Sequence, residues 1–243
     1  MSWLNLPMCG LDFETTGVDP ETDRVVSAAV VLRGGGRPTA RRSWLSDVDG
    51  VEIPAGATAV HGITTEHARA AGRPAAEVVE EVAASVTEAV AAGRPLVVMN
   101  APFDLTMLDR ELRRHRLTPL TDRCAPLVLD PRVLDKQVNR YRKGGRTLTD
   151  LARHYVVPLY GAHTCEADAV AACAVTFKIA NRYRFLAATP LPKLHAAQIE
   201  WAAEQQAGLR DYFVRTPGKE HQAATVRLDW PMIPAPVPTG STR

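Results

Sequence analysis

The stretch "MCGLDFETTGVD", residues 8–19, decides how the rest of the chain is read. Met8 to Thr15 has the make-up of a strand, yet Asp12 and Glu14 lie within it. Side chains alternate along a strand, so residues two apart share a face. Asp12 and Glu14 therefore point one way, and Leu11 and Phe13 the other. Two like charges ~4 Å apart repel by ~4 kcal/mol at an effective dielectric of ~20. A strand carrying such a pair either turns it to solvent at an edge or holds a cation with it.

The bulk properties limit the class of protein. At 243 residues the chain suffices for one well-buried domain with an appendage, or for two small ones. Hydrophobic residues at 46% and charged residues at 23% are ordinary globular values. The net charge of +2 argues neither for nor against a nucleic-acid partner, so any polyanion site must be a local patch. Cys9, Cys124, Cys165 and Cys173 form no C-x-x-C pair, which implies free thiols and a reducing compartment. "MSWLNLPMCG" has no basic leader, and no run of 18 apolar residues occurs. A soluble cytoplasmic protein with no membrane partner is expected.

Outward from the opening strand, residues 25–32 and 41–46 also read as strands, separated by the turn-forming "GVDPETDR" and "RGGGRPT". Together they suggest an antiparallel meander. A helical pattern over about 74–92 ends at Gly93-Arg94-Pro95, followed by an apolar strand at 96–100 and a helix from Pro102 to about Arg116. A strand at 125–130 and helices at about 147–155 and 165–186 follow. Hairpin strands first, then strands alternating with helices, predict an α/β domain with a mixed sheet over residues 1–188. Residues 189–229 read as a C-terminal helical extension, and the proline-rich 230–243 as a flexible tail.

Two further acidic sites stand at element boundaries. "NAPFD", residues 100–104, opens a helix with Pro102 near its start and Asp104 in its first turn. "HTCEAD", residues 163–168, leads into another, with His163 in the entering loop, Thr164 as cap and Asp168 in the first turns. Four converging carboxylates repel unless a cation sits among them. Hard divalent ions such as Mg²⁺ or Mn²⁺ take oxygen ligands, and a pair of them suits phosphodiester displacement. A neighbouring histidine supplies a base that titrates near neutral pH.

The D-x-E of "LDFETTG", the "NAPFD" segment and the H-x4-D of "HTCEAD" resemble the three motifs of DEDDh-type 3′→5′ exonucleases. That family includes the proofreading (epsilon) subunit of DNA polymerase III, RNase T and oligoribonuclease. The resemblance covers roughly residues 7–185. It implies a ribonuclease-H-like fold, a five-stranded mixed sheet flanked by helices. It also implies that Asp12, Glu14 and Asp168 bind one of two Mg²⁺ or Mn²⁺ ions, that Asp12 bridges to the second, and that Asp104 assists through water. His163 is then the general base. Thr15, Thr16 and Gly17 would hold the terminal sugar. Val60, His61 and Ile63 of "AVHGIT" would lie against the last bases, with Asn100 and Phe103 alongside. The implied activity is release of nucleoside 5′-monophosphates from single-stranded or frayed ends, with DNA favoured over RNA. The alternatives are an RNA-trimming 3′→5′ exoribonuclease of the same fold and a non-catalytic nucleic-acid- or polymerase-binding module, although all five motif positions are intact.

Two segments keep open readings. "KQVNRYRKGGR", residues 136–146, is either a phosphate-tracking loop with Tyr141 for stacking or an exposed charged loop. "QAGLRDYF", residues 206–213, fits the spacing of sliding-clamp-binding peptides, which would make a clamp or polymerase a partner. Leu209, Tyr212 and Phe213 also have the spacing of an amphipathic helix packed on its own domain, the favoured reading.

Overall fold

The structure, a computed structural model, describes residues 2–161 and 163–236. Strands β1 (Pro7–Thr15), β2 (Val25–Gly34) and β3 (Arg37–Leu45) form the antiparallel meander. Helices α1 (Ala55–His61), α2 (Thr65–Ala71) and α3 (Ala75–Ala91) lead to the two-residue β4 (Leu96–Val97). Then come α4 (Ala101–Arg114), α5 (Leu120–Arg123), β5 (Val128–Leu129), α6 (Pro131–Val138) and α7 (Leu148–His154). The chain continues through α8 (Cys165–Arg182), α9 (Arg184–Ala188), α10 (Leu191–Arg215) and α11 (Glu220–Ala223). β4 and β5 join in parallel, giving a five-stranded mixed sheet in the order β3-β2-β1-β4-β5. This is the ribonuclease-H-like arrangement expected of the sequence, with helices on both faces.

The alternation within β1 divides the core. Cys9, Leu11 and Phe13 enter one cluster with Val78, Val82 and Val86 of α3 and Leu105, Leu108 and Leu112 of α4. Met8, with Val31, Val97 and Leu129, enters the other, against Ala169, Cys173, Val175 and Ile179 of α8. The face of β1 that carries Met8, Gly10, Asp12 and Glu14 is therefore the face that α8 covers. Gly10 sets how closely. A Cβ there would stand 2.7 Å from the Ala169 carbonyl oxygen and 2.8 Å from Cys173 Sγ.

Parts of the expected layout are corrected. The helix expected over 165–186 breaks at Tyr183 (φ −112°, ψ 78°), which separates α8 from α9. Helix α6 occupies residues 131–138, where the sequence predicts no element over 131–135 and the charged loop over 136–138. Flexibility from residue 230 does not hold for residues 230–236. Trp230 is buried, the Ile233 amide donates to Thr106 Oγ1 at 2.9 Å, and Arg110 donates to the Pro234 carbonyl at 3.0 Å. The remaining tail, 237–243, lies outside the described residues. Cys9, Cys165 and Cys173 are buried free thiols and Cys124 is half-buried. Among the described residues no helix is long and apolar enough to cross a membrane.

The helical extension completes the sheet. β5 is an edge strand, and α10 lies along it. His195 Nδ1 accepts from the Val128 amide at 3.0 Å. Gln198 Nε2 donates to the Val128 carbonyl at 3.0 Å, while its Oε1 accepts from the Asp130 amide at 2.9 Å. Edge groups that would otherwise seek another strand are satisfied by two side chains.

Candidate active site

Oxygens of Asp12, Glu14 and Asp168 all lie within 4.8 Å of one another. Asp12 and Glu14 share the α8 face because of strand alternation. Asp168 meets them because it sits in the first turns of α8, which Gly10 admits close to β1. Asp104 arrives from the other side. The β1 amides that face β4 include Cys9, which donates to the Pro95 carbonyl at 2.9 Å. The short β4 ends at Val97, opposite Gly10, so the Phe13 amide on the same edge has no strand partner. The Asp104 carboxylate faces that amide instead.

Burial and mutual repulsion govern the electrostatics of the cluster. Burial pushes the Asp12 carboxyl well above the usual range, and Asp104, Asp168 and Glu14 each push it further. Burial and then Asp168 raise Glu14 to about 7. Burial raises Asp104 well up, opposed by the Phe13 and Asp104 amides. Burial also raises Asp168, opposed by the amide and ring of His163. Asp168 Oδ1 is buried without a hydrogen-bond partner among the described residues. All-carboxylate donors and an orphaned oxygen fit a hard divalent ion.

His163 stands at the exposed rim with φ +68°, its amide donating to Asp168 Oδ2 at 3.3 Å. Thr164 occupies the cap position of α8, but its hydroxyl donates back to the Gly161 carbonyl at 2.9 Å rather than capping the helix. Of the "TTG" segment, Thr15 Oγ1 donates to the Gly17 carbonyl at 2.6 Å. Thr16 turns inward, 4% exposed, its hydroxyl donating to Asp23 Oδ1 at 2.8 Å. A Cβ at Gly17 would stand 2.4 Å from Asp23 Oδ2, so only glycine fits beside that brace. Thr16 thus fixes the turn, leaving Thr15 and the Gly17 backbone facing outward.

His61 ends α1. Its Nδ1 accepts from the Ile63 amide at 3.1 Å and its ring lies against the Thr15 backbone, which brings "HGIT" beside "TTG". Burial lowers its affinity for protons, and the Thr15 backbone opposes this. Val60 is exposed, Ile63 half-buried against a small cluster of Val26, Val48 and Ile53, and Phe103 half-buried against the main core. Asn100, in the left-handed region at φ +62°, accepts from Arg132 at 2.9 Å through Oδ1.

Sequence reasoning missed Asp130. This buried carboxylate accepts from the Asn100 amide at 3.3 Å, the Ala101 amide at 3.1 Å and the Arg132 amide at 2.9 Å. It therefore clamps the start of α4, one turn before Asp104, and caps α6. The signal was present as Asp-Pro, a cap residue followed by proline at the first helical position. The "QAGLRDYF" stretch lies inside uninterrupted α10, with Leu209 facing α6 and Tyr212 about half exposed.

The mixed sheet with its carboxylate cluster at the β1–α8 contact defines a ribonuclease-H-like exonuclease fold. Residues 9–176 match the RNase T family of exonucleases, and the chain belongs to that family, of the DEDDh 3′→5′ type. Exonuclease I of E. coli in complex with a dT13 oligonucleotide superposes with TM-score 0.60 at 17% identity, over 74% of this chain and 43% of that one. The moderately thermophilic Exonuclease I from Methylocaldum szegediense gives TM-score 0.62 at 18% identity, over 74% and 42%. This chain thus spans less than half the length of either. No match was found among curated protein sequences.

Proposed function

We propose that the protein is a metal-dependent 3′→5′ exonuclease that hydrolyses terminal phosphodiesters of single-stranded or frayed DNA to nucleoside 5′-monophosphates. The observation that carries this is the convergence of Asp12, Glu14 and Asp168 oxygens within 4.8 Å, with Asp104 at the adjoining strand edge. Those three would hold one Mg²⁺ or Mn²⁺, with Asp12 and Asp104 serving the second. When bound, the ions activate a water and stabilise the charge that develops on the scissile phosphate. His163, exposed at the rim and tethered to Asp168 through its amide, takes the proton of the attacking water. Thr15 and the Gly17 backbone hold the terminal sugar, and His61 and Val60 offer a surface to its base. Contact with a base's flat face is sequence-tolerant, as removal of any nucleotide requires.

The test is digestion of end-labelled oligonucleotides, DNA and RNA of matched sequence, with Mg²⁺, Mn²⁺ or chelator. Mononucleotides released from the 3′ end of DNA, dependent on divalent metal and lost in Asp12→Asn, are expected. Release from the 5′ end, or equal turnover by Asp12→Asn, overturns the reading. Preference for RNA turns it into an exoribonuclease of the same fold.

A further inference from the structure

Beside the carboxylate cluster, α6 and α10 enclose a groove that the catalytic reading leaves unused. It opens at Asn100 and Pro102, at the start of the helix that carries Asp104, as a cavity of about 120 Å³ walled by Arg132 and Lys136. Across Lys136, Gln205 and Leu209, which both compartments share, it continues into a wider space of about 570 Å³ bordered by Arg140, Tyr141 and Tyr212. Three cations line its α6 side: Arg132 and Lys136 stand four residues apart on the helix, ~6 Å along its axis, and Arg140 follows in the turn beyond the helix end at Val138. None of the three takes part in an ion pair among the described residues. By contrast, Arg142 and Arg146 of the same basic segment are committed to the buried Asp135, at 3.2 and 2.8 Å. The structure thus divides the segment into cations that brace the fold and cations that face the groove. Burial first, and then the neighbouring Arg132, Arg146 and Arg140, lower the proton affinity of Lys136. At the far end Tyr141 is 88% exposed and Tyr212 is 49% exposed, with Lys219 Nζ 5.5 Å from the Tyr212 ring. The acidic groups that border the groove are Asp130 and Asp229 in the first compartment and Glu204 of α10 in the wider one.

We propose that this groove binds the single strand upstream of the terminal nucleotide, phosphates along Lys136 and Arg140 and a base against Tyr141 or Tyr212. The inference rests on the exonuclease reading, since it needs a strand whose end lies among the carboxylates. Cations outside any ion pair, backed by exposed aromatics, suit a polyanion with stackable faces. They do not suit an apolar peptide. The groove gives the enzyme a reason to prefer long strands over very short ones.

The test is binding in chelator, without turnover, of fluorescein-labelled oligothymidylates three and twelve nucleotides long. The full-length parent protein is compared with Lys136→Gln/Arg140→Gln and with Tyr141→Ala, whose side chain is almost fully exposed and whose loss leaves folding intact. The parent should bind the longer strand at least tenfold more tightly. The double variant should lose about tenfold on that strand, reduce the salt slope by roughly 1.4, at ~0.7 per phosphate, and bind the trinucleotide as the parent does. Tyr141→Ala should lose a few-fold on the longer strand only. Equal affinity of parent and variants for the longer strand overturns the groove while leaving the exonuclease reading intact. Equal parental affinity for the two lengths does the same. A parent that binds neither oligonucleotide and cleaves neither with metal present overturns both.

Discussion

At the scale of single residues, Asp12 is held where its charge is least welcome. Burial and three neighbouring acids all oppose ionisation, an electrostatic strain that a bound cation would relieve. Asp12→Asn should abolish cleavage yet leave the metal-free protein as stable as the parent or more so, by urea unfolding in chelator. The same strain sets a pH dependence. Glu14 titrates near 7 in the folded protein and at 4.5 when unconstrained. Over that window the folded state binds more protons than the unfolded one, so its contribution to stability is full below about 4.5 and is lost as pH rises through 7. Without metal the unfolding midpoint should therefore fall between pH 5 and 7, and saturating Mg²⁺ should remove most of that fall. His163 has a different signature, because it stands outside the Asp12, Glu14 and Asp168 oxygen cluster and donates to Asp168 through its backbone amide. His163→Ala should lower the cleavage rate ~10²–10⁴-fold and spare metal affinity, measured by calorimetry.

At the scale of elements, two contacts position the site. Gly10 lets α8 approach β1, with a Cβ there 2.7 Å from the Ala169 carbonyl. Gly10→Ala should cost ~1–3 kcal/mol by overpacking. It should also weaken metal binding, since Ala169 follows Asp168 directly and the helix start must move. Thermal unfolding and metal titration on one sample check both. On the other side, Asp130 holds the first amides of α4, and Gln198 of α10 holds the Asp130 amide. Gln198→Ala orphans the Val128 carbonyl and the Asp130 amide, at ~1–3 kcal/mol each. Loss of stability without loss of β-sheet signal is the expected result.

At the scale of the whole molecule, the helical extension is part of the fold. Leu194 completes one core cluster, and Ala202 and Trp230 the other. A chain ending at Thr189 should fail to unfold cooperatively and should aggregate through the bared β5 edge, observable by calorimetry and light scattering. The near-neutral charge of +2 means that affinity for a polyanion has to come from local features. The paired and unpaired cations of residues 132–146 show how the fold selects them.

The carboxylate cluster was legible in the residues themselves. Strand alternation obliges Asp12 and Glu14 to share a face, and Asp104 and Asp168 announce themselves by their places at helix starts, because these are local consequences of backbone geometry. The meander and most element positions follow from the same short-range rules. Thr16 could not be read as a turn brace, since its partner Asp23 is joined to it through a fold-back of the chain. Nor could Asp135 be foreseen as the acceptor that removes Arg142 and Arg146 from the free surface. The cover of β5 by His195 and Gln198 links residues some seventy positions apart. Such pairings are made by packing across elements, and only the tertiary structure decides which polar groups find each other and which are left facing solvent.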